Sequence, residues 1–129
     1  MSLQPYIDDY LVGTGFVSQG AILDLNGKAW VSSPGLSIAP DQIKPAADVL
    51  AGILDSGELL KTGITVDGKK YVVLSISDKK ILGRRGGHGI VIAKTKQSIV
   101  VGFHNDSMSL VECASAVEKL ADELIELGY

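Results

Sequence analysis

The chain has 129 residues, of which 46% are hydrophobic, 21% charged and 5% aromatic, and its formal net charge is −3. A chain of this length buries one core without metal or disulfide, and it is too apolar for a disordered segment. No apolar run approaches the ~20 residues of a membrane-spanning helix, and the acidic balance argues against a general nucleic-acid binder.

In chain order, the first signal is the turn pair Ser2 and Pro5. Leu3, Tyr6, Ile7, Tyr10 and Leu11 then recur at helical spacing and predict a short amphipathic helix that stops at Gly13-Thr14-Gly15. Residues 1–6 lack the basic start and apolar middle of a secretory signal, and Cys113 has no partner for an internal disulfide. Together these predict a reduced, cytoplasmic protein. Ala21–Leu25 and Lys28–Val31 read as two strands joined by Asn26-Gly27, a dipeptide that tolerates φ > 0 at both positions. In that hairpin Trp30 falls opposite Leu23, with Lys28 on the same face. After a loop from Ser32 to Pro40, Ile43, Ala47, Leu50 and Leu54 predict a helix whose start Pro45 leaves open.

From Thr62 the period becomes two. Ile64–Val66, Tyr71–Ile76, Lys80–Arg84, Ile90–Ala93 and Ser98–Phe103 predict antiparallel strands joined by tight turns. Ser109 and Glu112 form a capping box, and Leu110, Cys113, Ala114, Val117, Leu120, Ala121 and Leu124 give the last helix one apolar face. The expectation is a single α+β domain over residues 1–129: a central antiparallel sheet flanked by helices, with the N- and C-terminal helices packed together on one face.

Charge is segregated along the chain. Between Lys61 and Lys96 stand nine basic residues against Asp67 and Asp78, so this stretch carries +7 and the remainder −10. Such a basic surface suits an acidic protein or an anionic headgroup. His88 and His104 have no cysteine or second histidine at ligand spacing, so neither a metal site nor a cofactor is expected. Gly83–Gly89 lacks the glycine order of a phosphate loop, and no serine lies in a nucleophile elbow. A binding module is therefore favoured over an enzyme. Aromatic side chains near the chain ends and in the hairpin (Tyr6, Tyr10, Trp30, Tyr129) suit a stiff proline-rich ligand, which docks between flat rings at low entropic cost.

Several stretches together resemble the profilin family over the whole chain: the opening Met1-Ser2-Leu3-Gln4-Pro5-Tyr6, then Leu11-Val12-Gly13-Thr14-Gly15, the hairpin with Asn26-Gly27 and Trp30, Gly83-Arg84-Arg85-Gly86-Gly87, and Val117–Ile125. The resemblance implies a monomeric, cytoplasmic, cytoskeletal protein that binds monomeric actin and proline-rich actin regulators, with phosphoinositides as a further ligand. For actin it implies Leu60, Lys61, Arg84, Arg85, His88, Met108 and Lys119. For phosphoinositides it implies Lys80, Arg84, Arg85 and Lys96. For proline ligands Tyr6, Trp30 and Tyr129 match the family pattern, and Tyr10 extends it. Leu3 stands where a tryptophan is usual and Glu123 where a tyrosine or histidine is usual, so a weakened or shifted preference among proline ligands is expected. Two alternatives remain open from the sequence: a phosphoinositide- or ligand-binding regulatory module with little actin activity, and a dimerising sensory or trafficking domain on a similar plan.

Overall fold

The computed structural model describes residues 3–129; Met1 and Ser2, where the expected first turn begins, lie outside them. Seven strands form one antiparallel sheet in the order β2-β1-β7-β6-β5-β4-β3. The strands are β1 (Gln19–Asp24), β2 (Ala29–Ser32), β3 (Ile64–Val66), β4 (Lys69–Ile76), β5 (Lys80–Arg85), β6 (His88–Lys94) and β7 (Ser98–His104). Four α-helices accompany them: α1 (Gln4–Tyr6), α2 (Pro40–Leu50), α3 (Ser56–Thr62) and α4 (Leu110–Glu126). The order is the meander expected from the period-two pattern, with the N-terminal hairpin added to it beside β7.

Strand alternation divides the core in two. On one face Ala21, Leu23, Ile90, Ile92, Ile99, Val101 and Phe103 meet Ile43, Ala46, Ala47 and Leu50 of α2 and Leu59 of α3. On the other, Ile22, Val91, Ala93 and Val100 meet Leu3, Ile7 and Leu11 of the N-terminal segment and the apolar stripe of α4. The terminal helices thus share a face, as expected. They approach the strands closely because glycines leave room. A Cβ on Gly102 would lie 2.4 Å from Cγ2 of Val117, and one on Gly20 would lie 2.4 Å from Cδ1 of Leu11. Ser109 caps α4 as its spacing predicts, its Oγ accepting from the Glu112 N–H at 3.4 Å.

Four local features differ from the sequence reading. The N-terminal segment is not one regular helix. After α1 it widens into a π-helical turn (Ile7–Leu11) and tightens into a 3₁₀ turn (Val12–Thr14), with Gly15 left-handed at its end. The Asn26-Gly27 turn puts only Gly27 at positive φ. The loop is closed instead by the Asp24 carboxylate, which accepts the N–H groups of Asn26 at 2.8 Å and Lys28 at 3.0 Å. The register then breaks, so that Leu23 faces Ala29 and Ile22 faces Val31, which leaves Trp30 with no opposite residue.

α2 ends at Leu50, because Gly52 takes a left-handed φ of +77° just beyond it; Leu54 lies past the helix and is exposed. The short helix α3 has no counterpart in the apolar periodicity. Asp55 caps it by accepting the Gly57 N–H at 3.2 Å, and Asp55 followed three residues later by Glu58 is the sequence signal that marks it.

Candidate functional site

The helices on the second face cover only part of the sheet. α4 packs on β6 and β7, and the N-terminal segment packs on β1 and α4. Beyond β6 that face is open. In β4, Tyr71 and Val73 turn into the α2-side core, while Val72 is 61% exposed and Leu74 51% exposed. In β5, Ile81 is buried on the α2 side; on the other face Leu82 packs against the α4-side core and Lys80 pairs with Glu118 of α4, so that Arg84 is the β5 residue left on the open part. Val72 stands opposite Arg84 in the ladder. Arg84 Nε donates to the Gly86 carbonyl at 2.7 Å, which ties the guanidinium to the β5–β6 turn. Next to these residues a recess of about 210 Å³ is lined by Leu74, Arg84, His88, His104 and Leu110. The result is an apolar strip with Arg84 at its edge, and it runs to the start of α4. Val111 there is 79% exposed.

This surface collects some of the residues expected to bind actin and separates others. Arg84 lies on it and His88, at the start of β6, lines its recess, while Met108 lies in the turn before α4. Arg85, the next strand residue, points to the opposite face, where it acts electrostatically on the buried Tyr71. Leu60 and Lys61 are carried by α3, whose Leu59 belongs to the α2-side core. Lys119 lines a separate cleft between α4 and the N-terminal segment. The sequence reading passed over Val72 and Leu74. Their signal was the unbroken apolar run Tyr71–Leu74, which puts apolar side chains on both faces of a strand that has a helix on one side only.

Tyr6, Tyr10, Trp30 and Tyr129, the rings expected to take proline ligands, form two pairs. Tyr6 and Tyr10 stack with centroids 5.8 Å apart and planes 28° apart; the π-helical turn follows Tyr6 directly. Trp30 meets Tyr129 edge to face at 6.1 Å and 64°. Tyr6, Tyr10 and Tyr129 all lie against the α4-side core, and Trp30, 39% exposed, joins through Tyr129. Tyr129 is anchored by the β6–β7 turn: its backbone oxygen accepts from Thr95 Oγ1 at 3.0 Å and from the Gln97 N–H. Leu3 differs in kind, since it is 8% exposed and packs within the core. Its position is structural, with the rings arranged outside it.

Two clefts flank α4. The first, about 590 Å³, lies between Asp9, Tyr10, Thr14 and Phe16 on one side and Glu112, Ser115, Lys119 and Glu123 on the other. The Glu123 carboxylate is the main reason the Tyr10 hydroxyl titrates above its ordinary value, followed by burial, Tyr6, Asp9 and Glu126. The second, about 460 Å³, is lined by Lys79, Lys80, Lys94, Lys96, Thr95, Glu118, Asp122 and Ile125. There Lys80 is paired with Glu118, and Lys94 Nζ donates to the Leu50 carbonyl at 3.0 Å. The four residues expected for phosphoinositides therefore do not form one cluster. Lys80 and Lys96 line this cleft, whereas Arg84 and Arg85 sit at the far end of β5. Lys79 and Lys94 are additional cations that the turn geometry brings in. No group of three or more metal-ligating side chains occurs among the described residues.

The family model described as Profilin matches residues 1–129. Profilin-A of Physarum polycephalum is 42% identical over 129 residues, covering 100% of both chains. The crystal structure of Acanthamoeba castellanii profilin II superposes with a TM-score of 0.92 at 34% identity, over 99% of this chain and 100% of that one. Two more distant structures, each at 19% identity and a TM-score of 0.80, share the fold. One is mouse profilin IIa in complex with a double repeat from the FH1 domain of mDia1, with 100% of both chains covered. The other is a complex of LokiProfilin2 with rabbit actin, covering 98% of this chain and 99% of that one.

Proposed function

The chain belongs to the profilin family, and from that premise we propose that it binds monomeric actin in the cytoplasm and regulates actin polymerisation, working with proline-rich partners. The observation that carries the actin side is the open half of the sheet: Val72 and Leu74 exposed beside Arg84. Exposed apolar side chains beside a cation suit an interface with an acidic protein, with burial supplying affinity and charge setting orientation and on-rate. Actin held on this surface is kept from starting filaments. The ring pairs Tyr6–Tyr10 and Trp30–Tyr129 lie elsewhere and remain open to a proline-rich elongation factor, which delivers the complex to a filament end. One profilin solved in complex with actin and another solved in complex with an FH1 double repeat support the two kinds of partner.

A second reading, phosphoinositide control, rests on the lysine-lined cleft of Lys79, Lys80, Lys94 and Lys96. Multiple cations around one recess suit a polyphosphorylated headgroup. Sedimentation velocity of the protein with monomeric actin tests the first reading. A one-to-one complex that Leu74→Asp abolishes supports it; a complex indifferent to Leu74→Asp and Arg84→Glu contradicts the assigned surface.

A further inference from the structure

We propose that the cleft between the N-terminal segment and α4 is a subsite for an arginine side chain flanking the proline run of a partner; this rests on the proline-binding reading above. Tyr10 connects the two sites. One of its faces stacks on Tyr6 and it also lines the cleft, so a peptide lying along the Tyr6–Tyr10 pair ends against the cleft mouth. Inside, Tyr10 and the 41% exposed Phe16 offer aromatic surface, and Asp9, Glu112 and Glu123 offer carboxylates.

Among the described residues no ion pair or hydrogen bond engages any of these three carboxylates, and Lys119 is the only cation in the lining. The negative field at the mouth is also felt by the Tyr10 hydroxyl, whose ionisation Glu123 opposes most strongly. A recess with ring walls and unpaired carboxylates selects a guanidinium over an ammonium. The planar group stacks on a ring while its N–H fork reaches a carboxylate, whereas an ammonium does only one at a time. Glu123 is then a specificity determinant: it replaces ring area in the groove with a charge that reads the residue next to the prolines.

The test uses the full chain and three synthetic decaprolines flanked by arginine, glutamine or glutamate, titrated through the fluorescence of Trp30, the single tryptophan. The arginine-flanked peptide is expected to bind about fivefold tighter than the glutamine-flanked one, a gain in keeping with one partly exposed ion pair plus one cation–π contact. The glutamate-flanked peptide should be the weakest, and added salt should compress the series. In Glu123→Gln the ratio of affinities between the arginine- and glutamine-flanked peptides should fall toward one. Equal affinity for all three peptides overturns the proposal. So does a preference that survives Glu123→Gln, which would assign it to the overall acidity of the chain. Should none of the three bind, the proline reading itself fails and the subsite with it.

Discussion

Val72 and Arg84 face each other across β4 and β5, on the part of the second face that α4 leaves open, and Val72 is 61% exposed. An apolar side chain left open beside a tethered guanidinium is costly in isolation and useful at an interface. Replacing both Val72 and Leu74 by aspartate should abolish actin binding with little loss of stability, since neither side chain contributes to a core. Loss of about 2 kcal/mol or more of binding free energy is expected for such central contacts, against a shift of under ~0.5 kcal/mol in unfolding. Titration calorimetry with monomeric actin and urea unfolding together check this.

Gly102 makes a different prediction. Because a Cβ there would stand 2.4 Å from Val117, Gly102→Ala must push α4 away from β7. Overpacking of this kind costs about 1–3 kcal/mol. The actin and proline surfaces both depend on α4, so both activities should weaken in parallel with the lowered Tm.

Cys113 lies buried in the α4-side core, and burial pushes its thiol up from 9.0 to about 12. In the unfolded chain the thiol ionises near its ordinary value, so above that pH the unfolded state holds fewer protons than the native one. Stability should therefore be unaffected below about pH 9 and should fall as pH rises toward 12. Tyr71, raised by its burial in the other core, acts in the same direction at higher pH. Urea melts across this range check the slope, which Cys113→Ala should flatten. At neutral pH the native thiol should resist aromatic disulfide reagents until the protein unfolds.

Much of this architecture is legible in the residues. The short apolar runs bounded by turn residues place all five strands of the meander, and the capping box with its one-sided stripe, which repeats over the whole helix, places α4. What is lost is short or irregular. Helix α3 spans Ser56–Thr62 and has one buried residue, too few for a stripe. The widened turn at Ile7–Leu11 keeps the helical apolar spacing and so is silent in the sequence. The extra residue at Trp30 arises from how Asp24 closes its loop, a side-chain bond invisible to strand propensity.

The same limits apply to the binding surfaces. Arg84 and Arg85 read as one basic turn, yet strand alternation sends them to opposite faces. Lys119 shares a cleft with Tyr10 and Glu123, residues that the resemblance assigns to a different ligand. Sequence identifies the residue types of each surface; the sheet's pleat and the flanks of α4 decide their company.

The ring pairs allow a direct energetic check. Tyr129 is held by Thr95 and Gln97 and presents its ring to Trp30. Tyr129→Ala should lower affinity for a decaproline peptide by about thirtyfold, equivalent to ~2 kcal/mol for an aromatic contact. Tryptophan fluorescence follows the binding, and actin affinity should remain unchanged in the same variant.

The most direct test of the actin account is the lag in spontaneous assembly of pyrene-labelled actin. Wild-type protein should lengthen the lag in proportion to its concentration, and the variant combining Leu74→Asp with Arg84→Glu should leave it unchanged. A lag that the wild-type protein does not alter, or that both proteins lengthen equally, would contradict the role assigned to the open face of β4 and β5.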